Sequence, residues 1–129
     1  MNKKQKGTTA ERELIHKFHS SGWASFRAAG SGSSKYPCPD LIAGNSLRKI
    51  AIEVKSFNGE RKYFSKQEID DLRTFCFQFG CEGWVGIKFQ GKGWYFFSLE
   101  DLKETIGGFS IGLKDAELKG FLFNEMIKC

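Results

Sequence analysis

The sequence predicts an α/β fold in which helices flank one central β-sheet, with the element order αβββ-αββ and a helical tail. Three observations predict it. Two segments open on the spacing of a capping box and carry apolar residues at helical intervals. The segments between and after them are short apolar runs, and a Gly-containing tetrapeptide joins the last two. The chain has 129 residues, which is enough for a single domain, residues 1–129, with its own apolar core.

The first predicted helix runs from about Thr9 to Ser20. Thr8 and Glu11 have the spacing of a capping box, and Gly22 follows the last turn. Three strands are predicted next, because each is a short apolar run beside turn-forming residues. They cover residues 23–28, 40–43 and 49–55.

The second predicted helix opens on Ser65, whose spacing to Glu68 is again that of a capping box, and ends near Phe79. Two more strands follow and are joined by a hairpin turn at residues 90–93. These strands cover residues 84–89 and 94–97. The remaining segments are a short helix over 98–105, an irregular glycine-containing stretch over 107–112 and a last helix over 115–128.

Charged side chains are predicted at the ends of two strands that are otherwise apolar. Asp40 stands at the head of one strand, and Glu53 and Lys55 are separated by a single residue on the next. Side chains alternate between the two faces of a strand, so Glu53 and Lys55 share one face. The opposite face belongs to three apolar residues, Ile50, Ile52 and Val54.

This constellation is typical of a metal-dependent nuclease site. Two carboxylates supply the oxygen ligands that Mg²⁺ and Mn²⁺ prefer. A neighbouring ammonium can orient a water or stabilise negative charge that develops on a phosphate, as phosphodiester hydrolysis requires. The alternative is that Asp40 is a turn residue and that Glu53 and Lys55 lie on the solvated face of an edge strand.

Glu11 has two candidate roles. As the third residue of a capping box it would stabilise the helix start by about 1 kcal/mol. On a helical wheel, however, it lies among Leu14, Ile15 and Phe18 on the inward stripe. A carboxylate there is costly to bury unless it is paired or near a metal. We therefore expect Glu11 to complete a three-carboxylate site, a role that does not exclude capping.

A Gly/Ser-rich loop leaves the first strand and returns to Asp40. Arg27 and Lys35 bracket it, and Ser31 and Ser33 lie within it. Hydroxyls and backbone amides can bind phosphate oxygens, and a guanidinium can do so bidentately. Long loops in compact domains are often functional, so we expect this one to contact phosphates. The alternative is a surface linker.

The chain carries a formal charge of +5, with 20 Lys and Arg against 15 Asp and Glu, which favours a polyanionic partner. Residues 1–7 are predicted to form a basic, flexible arm that carries Lys3, Lys4 and Lys6. Other basic residues are expected in loops around the carboxylates: Lys35, Arg48, Lys49, Arg61 and Lys62. The alternative is that this charge only solubilises the surface.

The four cysteines are too few and too scattered for the disulfide framework of a small secreted protein, and no pair has structural-zinc spacing. His16 and His19 are expected on the surface. The first residues lack the apolar stretch of a signal peptide, and no run of about twenty apolar residues could span a membrane. We therefore expect a soluble, cytoplasmic protein with no membrane partner.

Five blocks, which occur in one order between about Lys6 and Phe97, resemble the archaeal Holliday junction resolvases of the PD-(D/E)-x-K nuclease superfamily. The blocks are Ala10–Ile15, Phe26–Ala28, Gly30–Ser33, Pro39–Asn45 and Ala51–Lys55. The resemblance implies a restriction-endonuclease-like fold, which is a mixed central sheet flanked by helices. It also implies a homodimer that binds four-way junctions by shape and nicks two opposing strands with Mg²⁺ or Mn²⁺. The resemblance implies no role for residues after about Leu99.

The same resemblance implies roles for individual residues. They are the acidic site at Glu11, Asp40 and Glu53, the catalytic lysine at Lys55, an active-site hydroxyl at Ser31 and a DNA contact at Arg27. The expected reaction is in-line hydrolysis with a cation held by Asp40, Glu53 and the carbonyl of Val54. Lys55 would position the attacking water, and Glu11 would hold a second ion or a water.

Paired nicks need two active sites, which a two-fold dimer supplies. The candidate interface combines the second helix with the following hairpin, because both carry aromatic residues in excess of one side of a small core. Its candidate residues are Phe75, Phe77, Phe79, Trp84 and Trp94. The alternative is that these rings fill the core of the monomer.

Two other functions stay open at this point. The nearer is a nuclease of the same superfamily that cuts duplex DNA in repair or restriction, because the site specifies hydrolysis and not junction shape. The farther is a noncatalytic DNA-binding module. A missing acid or lysine would favour that module, whereas all four positions are filled: Glu11, Asp40, Glu53 and Lys55.

Overall fold

The structure is a computed structural model that describes residues 3–28, 35–102 and 104–129, the side chains of residues 3–7 and 105 excepted. Its helices are α1 (Lys3–Ser20), α2 (Lys66–Phe79), α3 (Leu113–Lys119) and α4 (Phe123–Lys128). Its strands are β1 (Ala24–Arg27), β2 (Leu41–Gly44), β3 (Lys49–Phe57), β4 (Arg61–Ser65), β5 (Glu82–Phe89), β6 (Gly93–Ser98), β7 (Glu104–Thr105) and β8 (Gly108–Gly112). None of the helices described is long and apolar enough to cross a membrane.

Five strands form a mixed central sheet in the order β1-β2-β3-β5-β6. β3 and β5 are parallel, and the other neighbours in this sheet are antiparallel. A parallel pair needs a crossover, which β4 and α2 provide. The predicted α/β fold, a mixed sheet flanked by helices, is therefore confirmed.

The central sheet separates two apolar cores. The core on the α1 side includes Leu14 and Phe18, and the core on the α2 side includes Ile69 and Leu72. β3 alternates between them: Ile50, Ile52 and Val54 belong to the α1 side, and Ala51 belongs to the α2 side. Glu53 and Lys55 therefore face α2 from a central strand. Because β3 is not an edge strand, the solvated-edge alternative for these two residues is wrong.

The start of the first helix differs from the prediction. α1 begins at Lys3 instead of Thr9, so residues 3–7 continue the helix backbone and are not a separate arm. The lysines and Gln5 have good helix propensity, and one internal glycine, Gly7, costs a helix only about 1 kcal/mol. Thr8 thus lies inside the helix, and it forms no capping box with Glu11. The spacing of Thr8 and Glu11 therefore does not mark the start of this helix.

A second, three-stranded sheet has the order β4-β8-β7. It forms where a loop around Arg61, an irregular stretch over 107–112 and the end of a helix over 98–105 were predicted. Arg61 and Lys62 lie on β4, which pairs with β8 across more than 40 residues of sequence. The pairing of β4 with β8 requires glycine at position 108, because a β-carbon there would lie 2.2 Å from the carbonyl oxygen of Phe64. Glycine permits this close strand contact. The pairing is non-local, so local composition suggested loops.

The C-terminal elements are shorter than predicted. Within the described part of the expected helix over 98–105, only Leu99–Asp101 is helical, as a single 3-10 turn. The expected helix over 115–128 is interrupted between α3 and α4, where the backbone of Phe121 exchanges two hydrogen bonds of 2.8 Å with Phe96. This bridge extends the edge of the central sheet beyond β6. A continuous helix would lose it.

Candidate active site

Asp40 and Glu53 are brought together by the antiparallel pairing of β2 with β3. Leu41 lies opposite Ile52, so the preceding residue, Asp40, falls opposite Glu53. The backbone N–H of Val54 donates a hydrogen bond of 2.9 Å to Oδ2 of Asp40. This bond fixes the Asp40 side chain against β3. The two carboxylates thus meet at the end of the central strand pair.

Burial beside a second carboxylate disfavours the charged form of Glu53. Burial is the main cause that raises the pKa of Glu53 to about 9, and the charge of Asp40 and a hydrogen bond with it raise this pKa further, against the opposing effect of Lys55. Burial also raises the pKa of the nearby Cys38 thiol, with contributions from Asp40 and Glu53. The raised pKa means that the charged form of Glu53 is costly unless a positive charge is bound beside it.

Lys55 lies beside this pair but binds another acid more closely. Its Nζ donates to Oε1 of Glu68 at 2.9 Å and is 3.7 Å from Oε1 of Glu53. Burial would lower the pKa of Lys55, but the hydrogen bond with Glu68 and the charges of the surrounding carboxylates outweigh burial, so the pKa is raised. The lysine is consequently charged, and it is held between the site and the first turn of α2.

Glu68 is the residue of this cluster that the sequence interpretation missed. It was predicted only as the third residue of the capping box of α2, a prediction that the structure confirms. Lys55 is 13 positions away, and the contact arises only because β4 returns the chain to the end of β3. No local pattern in the sequence signals this pairing.

Glu11 lies on the other side of the sheet edge and pairs with Arg27. Nε of Arg27 donates to Oε1 of Glu11 at 2.8 Å, and Glu11 retains 17% exposure. Arg27 lies opposite Leu41, and both belong to the α1 side. In the part of the chain described, no group of three or more His, Cys, Asp or Glu side chains is placed to hold a metal ion. The structure thus gathers Asp40 and Glu53, with Glu11 in a separate ion pair.

The predicted DNA-binding residues divide into several groups. Ser31 and Ser33 lie outside the described residues, as do the side chains of the three N-terminal lysines, Lys3, Lys4 and Lys6. Lys35 is exposed at the point where the described chain resumes before Asp40.

The basic residues after β2 make more contacts within the fold than predicted. Arg61 donates to Oγ of Ser110 at 3.0 Å and pairs with Asp115 at 3.5 Å. The ammonium of Lys62 lies over the ring of Phe57. Arg48 is bound bidentately by Glu82, with both bonds 2.7 Å long. These contacts stabilise the fold, and Arg48 belongs to it rather than to a basic loop around the carboxylates.

The candidate interface residues divide into buried and exposed side chains. Trp84 and Trp94 are 4% and 7% exposed within the α1-side core, so their prediction as surface interface residues is wrong. Their alternation on β5 and β6 directs them inward, and the indole N–H of Trp94 donates to Glu13. Phe77, in contrast, is 90% exposed on α2. Phe79 is half exposed and stacks on Phe75.

The raised pKa of Glu53 predicts how the metal-free protein responds to pH. The folded state keeps the Glu53 proton up to about pH 9, whereas the unfolded chain loses it near the ordinary value of 4.5. The contribution to stability is therefore complete below about pH 4.5 and is lost as pH rises toward 9, by up to about 1.4 kcal/mol per pH unit. Urea unfolding in EDTA at pH 5 to 8.5 should show this decline, and Glu53→Gln should make it shallower. Parallel pH profiles for the two proteins would contradict the assignment.

A family model of the archaeal Holliday junction resolvases (Hjc) matches residues 2–128 of this chain. The chain is similar to the crossover junction endodeoxyribonuclease Hjc of Archaeoglobus fulgidus, with 41% identity over 129 residues and 95% of each chain covered. The Hjc enzyme of Sulfolobus acidocaldarius is 33% identical over 130 residues, which cover 99% of this chain and 90% of that relative.

The solved structure of Archaeoglobus fulgidus Hjc, described as a Holliday junction resolvase, matches this fold with a TM-score of 0.87. The match has 38% sequence identity and covers 93% of this chain and 98% of that one. The family model and the relatives both extend over nearly the full length. The chain therefore belongs to the archaeal Holliday junction resolvase (Hjc) family.

Proposed function

We propose that this protein resolves four-way DNA junctions by metal-dependent phosphodiester hydrolysis, nicking two opposing strands as a homodimer in the cytoplasm. One observation carries the proposal: the Asp40 and Glu53 carboxylates lie side by side at the end of a central strand pair, with the Lys55 ammonium 3.7 Å from Glu53. Membership of a family named for junction resolution supplies the substrate class.

The carboxylate pair fits a divalent cation. Two adjacent carboxylates, one of them largely buried, make a position where bound positive charge is favourable, and hard oxygen donors suit Mg²⁺ or Mn²⁺. Asp40, Glu53 and the Val54 carbonyl are the proposed ligands. When bound, the ion would stabilise charge that develops on the scissile phosphate.

The residues around this pair have the other proposed catalytic roles. Lys55 is the proposed catalytic lysine, which orients the attacking water, and Ser31 is the proposed active-site hydroxyl. Glu11 is proposed to complete the acidic site. Since Arg27 now neutralises Glu11, we infer that binding of a DNA phosphate by Arg27 would free this carboxylate for the site.

The DNA-binding surface is proposed to surround this end of the sheet. Lys35 is exposed next to the strand that begins after Asp40. With it we group the serine loop through Ser33, and the lysines of the first helical turns, Lys3, Lys4 and Lys6. Arg61 and Lys62 are the weaker candidates, because their charged groups already have partners within the fold.

A synthetic four-way junction separates this function from that of a duplex nuclease. We expect the protein with Mg²⁺ to nick opposing strands of the junction, and to leave the linear duplex arms and the single strands largely uncut. A second, unlabelled junction should displace bound junction at least about 10-fold better than the same mass of duplex, since shape and not base sequence is recognised. Equal displacement by duplex, together with efficient duplex cutting, would favour a repair or restriction nuclease.

A further inference from the structure

Glu68 uses its two carboxylate oxygens for two different partners. Oε2 accepts the backbone N–H of Ser65 at 2.9 Å, while the Glu68 backbone N–H donates to Ser65 Oγ at 3.1 Å. These two bonds form the capping box of α2 and fix the Glu68 side chain to the first turn of the helix. Oε1 is directed the other way and accepts from Lys55 Nζ at 2.9 Å. The cap thus holds a carboxylate at a defined point beside β3.

This contact determines where the Lys55 ammonium lies. Lysine has a flexible four-carbon stem, so its charged end goes to the strongest nearby acceptor. Glu68 lies 0.8 Å closer than Glu53, at 2.9 Å against 3.7 Å. If Glu68 offered no acceptor, Glu53 would be the nearest remaining acid, and a close Lys55–Glu53 pair would occupy the carboxylate that the metal site needs. Glu68 therefore keeps the Lys55 ammonium next to Asp40 and Glu53 while leaving the Glu53 carboxylate available to a metal.

We propose that Glu68 is the positioning residue of the catalytic lysine, anchored to the helix start by the Ser65 backbone N–H so that Lys55 stays beside, and not bound to, Glu53. The proposal rests on the proposed function, in which Lys55 orients the attacking water. It gives one half of the capping box, the bond from the Ser65 backbone N–H to Oε2 of Glu68, a role in the reaction besides the stability of the helix.

Three variants separate positioning from capping. Glu68→Met has nearly the same volume but accepts no hydrogen bond from either partner. Glu68→Gln has a single acceptor oxygen where Glu68 uses two, so it can accept from Lys55 or from the Ser65 backbone N–H but not from both in the present geometry. Ser65→Ala removes the cap hydroxyl but leaves the backbone N–H that anchors Glu68 and the contact between Glu68 and Lys55. Both Glu68→Met and Ser65→Ala should therefore lose stability, by about 1 kcal/mol, in urea unfolding.

Single-turnover cleavage of a synthetic four-way junction with Mg²⁺, beside junction affinity measured in EDTA, tests the proposal. We expect Glu68→Met to lose about 10- to 100-fold in rate with junction affinity within about twofold of wild type, since a displaced catalytic group costs rate and not binding. Glu68→Gln should cut more slowly than wild type and faster than Glu68→Met, because its single acceptor oxygen can serve Lys55 only when it does not serve the Ser65 N–H. Ser65→Ala should cut at the wild-type rate despite its lost stability.

Two results would overturn the positioning role: an unchanged rate in Glu68→Met, or a rate loss in Ser65→Ala equal to that in Glu68→Met. Lys55→Met distinguishes this failure from failure of the proposed function. If Lys55→Met is inactive and Glu68→Met is fully active, only the positioning role is lost. If Lys55→Met cuts normally, the catalytic role of Lys55 and the positioning role of Glu68 are both refuted.

Discussion

Replacing Glu53 with glutamine is expected to abolish junction cleavage while making the metal-free protein more stable at neutral pH. Glutamine retains the shape of the side chain but cannot supply an anionic ligand, so stabilisation of the phosphate charge by a metal is lost. That loss is several kcal/mol, or at least about a thousandfold in rate. The stability gain follows because the wild-type fold at pH 7 must keep protonated a carboxyl whose pKa it raises to about 9.

Asp40→Asn is the matched variant. Its amide oxygen can still accept the Val54 N–H, which now binds Asp40 Oδ2 at 2.9 Å, so the fold should persist. Cleavage should fall as steeply as in Glu53→Gln, and junction affinity in EDTA should remain within about threefold of wild type, because the basic surface is unchanged. Cleavage is measured by denaturing electrophoresis of labelled junction strands and stability by urea unfolding. Undiminished cutting by Asp40→Asn would refute the site assignment.

Glu11→Gln provides a third comparison within this experiment. The side chain is not a helix cap, since α1 begins at Lys3, so a loss of cutting could not be attributed to a lost capping box. Loss of most activity with normal stability would support Glu11 as a member of the acidic site. Normal cutting would leave it as the structural partner of Arg27, with which it forms a 2.8 Å ion pair.

The part of the site that could be predicted from sequence is the part made by strand alternation. Glu53 and Lys55 had to share a face, because side chains along a strand alternate with a period of two. Asp40 was predictable as the first residue of a strand, but it lies beside Glu53 because that strand pairs with β3 in an antiparallel register. The five strands of the central sheet and the cap of α2 were predictable on local grounds, whereas the mixed strand arrangement was implied by the family resemblance.

The contacts that sequence could not provide are those that join distant segments. Glu68 reaches Lys55 only because β4 doubles back, and β4 exists only because it pairs with a glycine-containing strand that local composition marks as irregular. Glu13 of α1 accepts from Trp94 and pairs with Lys88, 75 positions away. A helical wheel shows which side of a helix is apolar, but it does not show that a hairpin will cover the side chains at the margin of that stripe.

Exposure separates the aromatic residues that the sequence grouped together. Trp84 and Trp94 serve the monomer core, whereas Phe77 lies on a flank of α2, away from the buried residues of that helix, Ile69, Leu72 and Cys76. A phenylalanine that is 90% exposed adds nothing to the monomer core. Phe79, two positions further on, lies on another side of the helix, where it stacks on Phe75. We therefore retain α2 as the proposed dimer interface, with Phe77 as its central residue.

Replacing Phe77 with aspartate is expected to dissociate the proposed dimer and to leave the monomer folded. In a two-fold interface the substitution acts twice, and two buried, unpaired carboxylates would cost several kcal/mol, which weakens association at least about a hundredfold. Leu118→Asp is the matched control, because Leu118 is an exposed apolar residue, 81% accessible, on α3. Light scattering should give a mass near twice 14.6 kDa for wild type and Leu118→Asp, and near 14.6 kDa for Phe77→Asp.

A supercoiled plasmid that extrudes a cruciform connects this assembly to function. Two sites in one dimer can cut opposing strands within the lifetime of a single complex, so the wild-type protein should convert plasmid directly to the linear form. The Phe77→Asp monomer should accumulate nicked circles first, because its two cuts require separate binding events. A dimer that persists in Phe77→Asp would move the interface away from α2, and a wild-type monomer that linearises plasmid in one binding event would refute the need for a dimer.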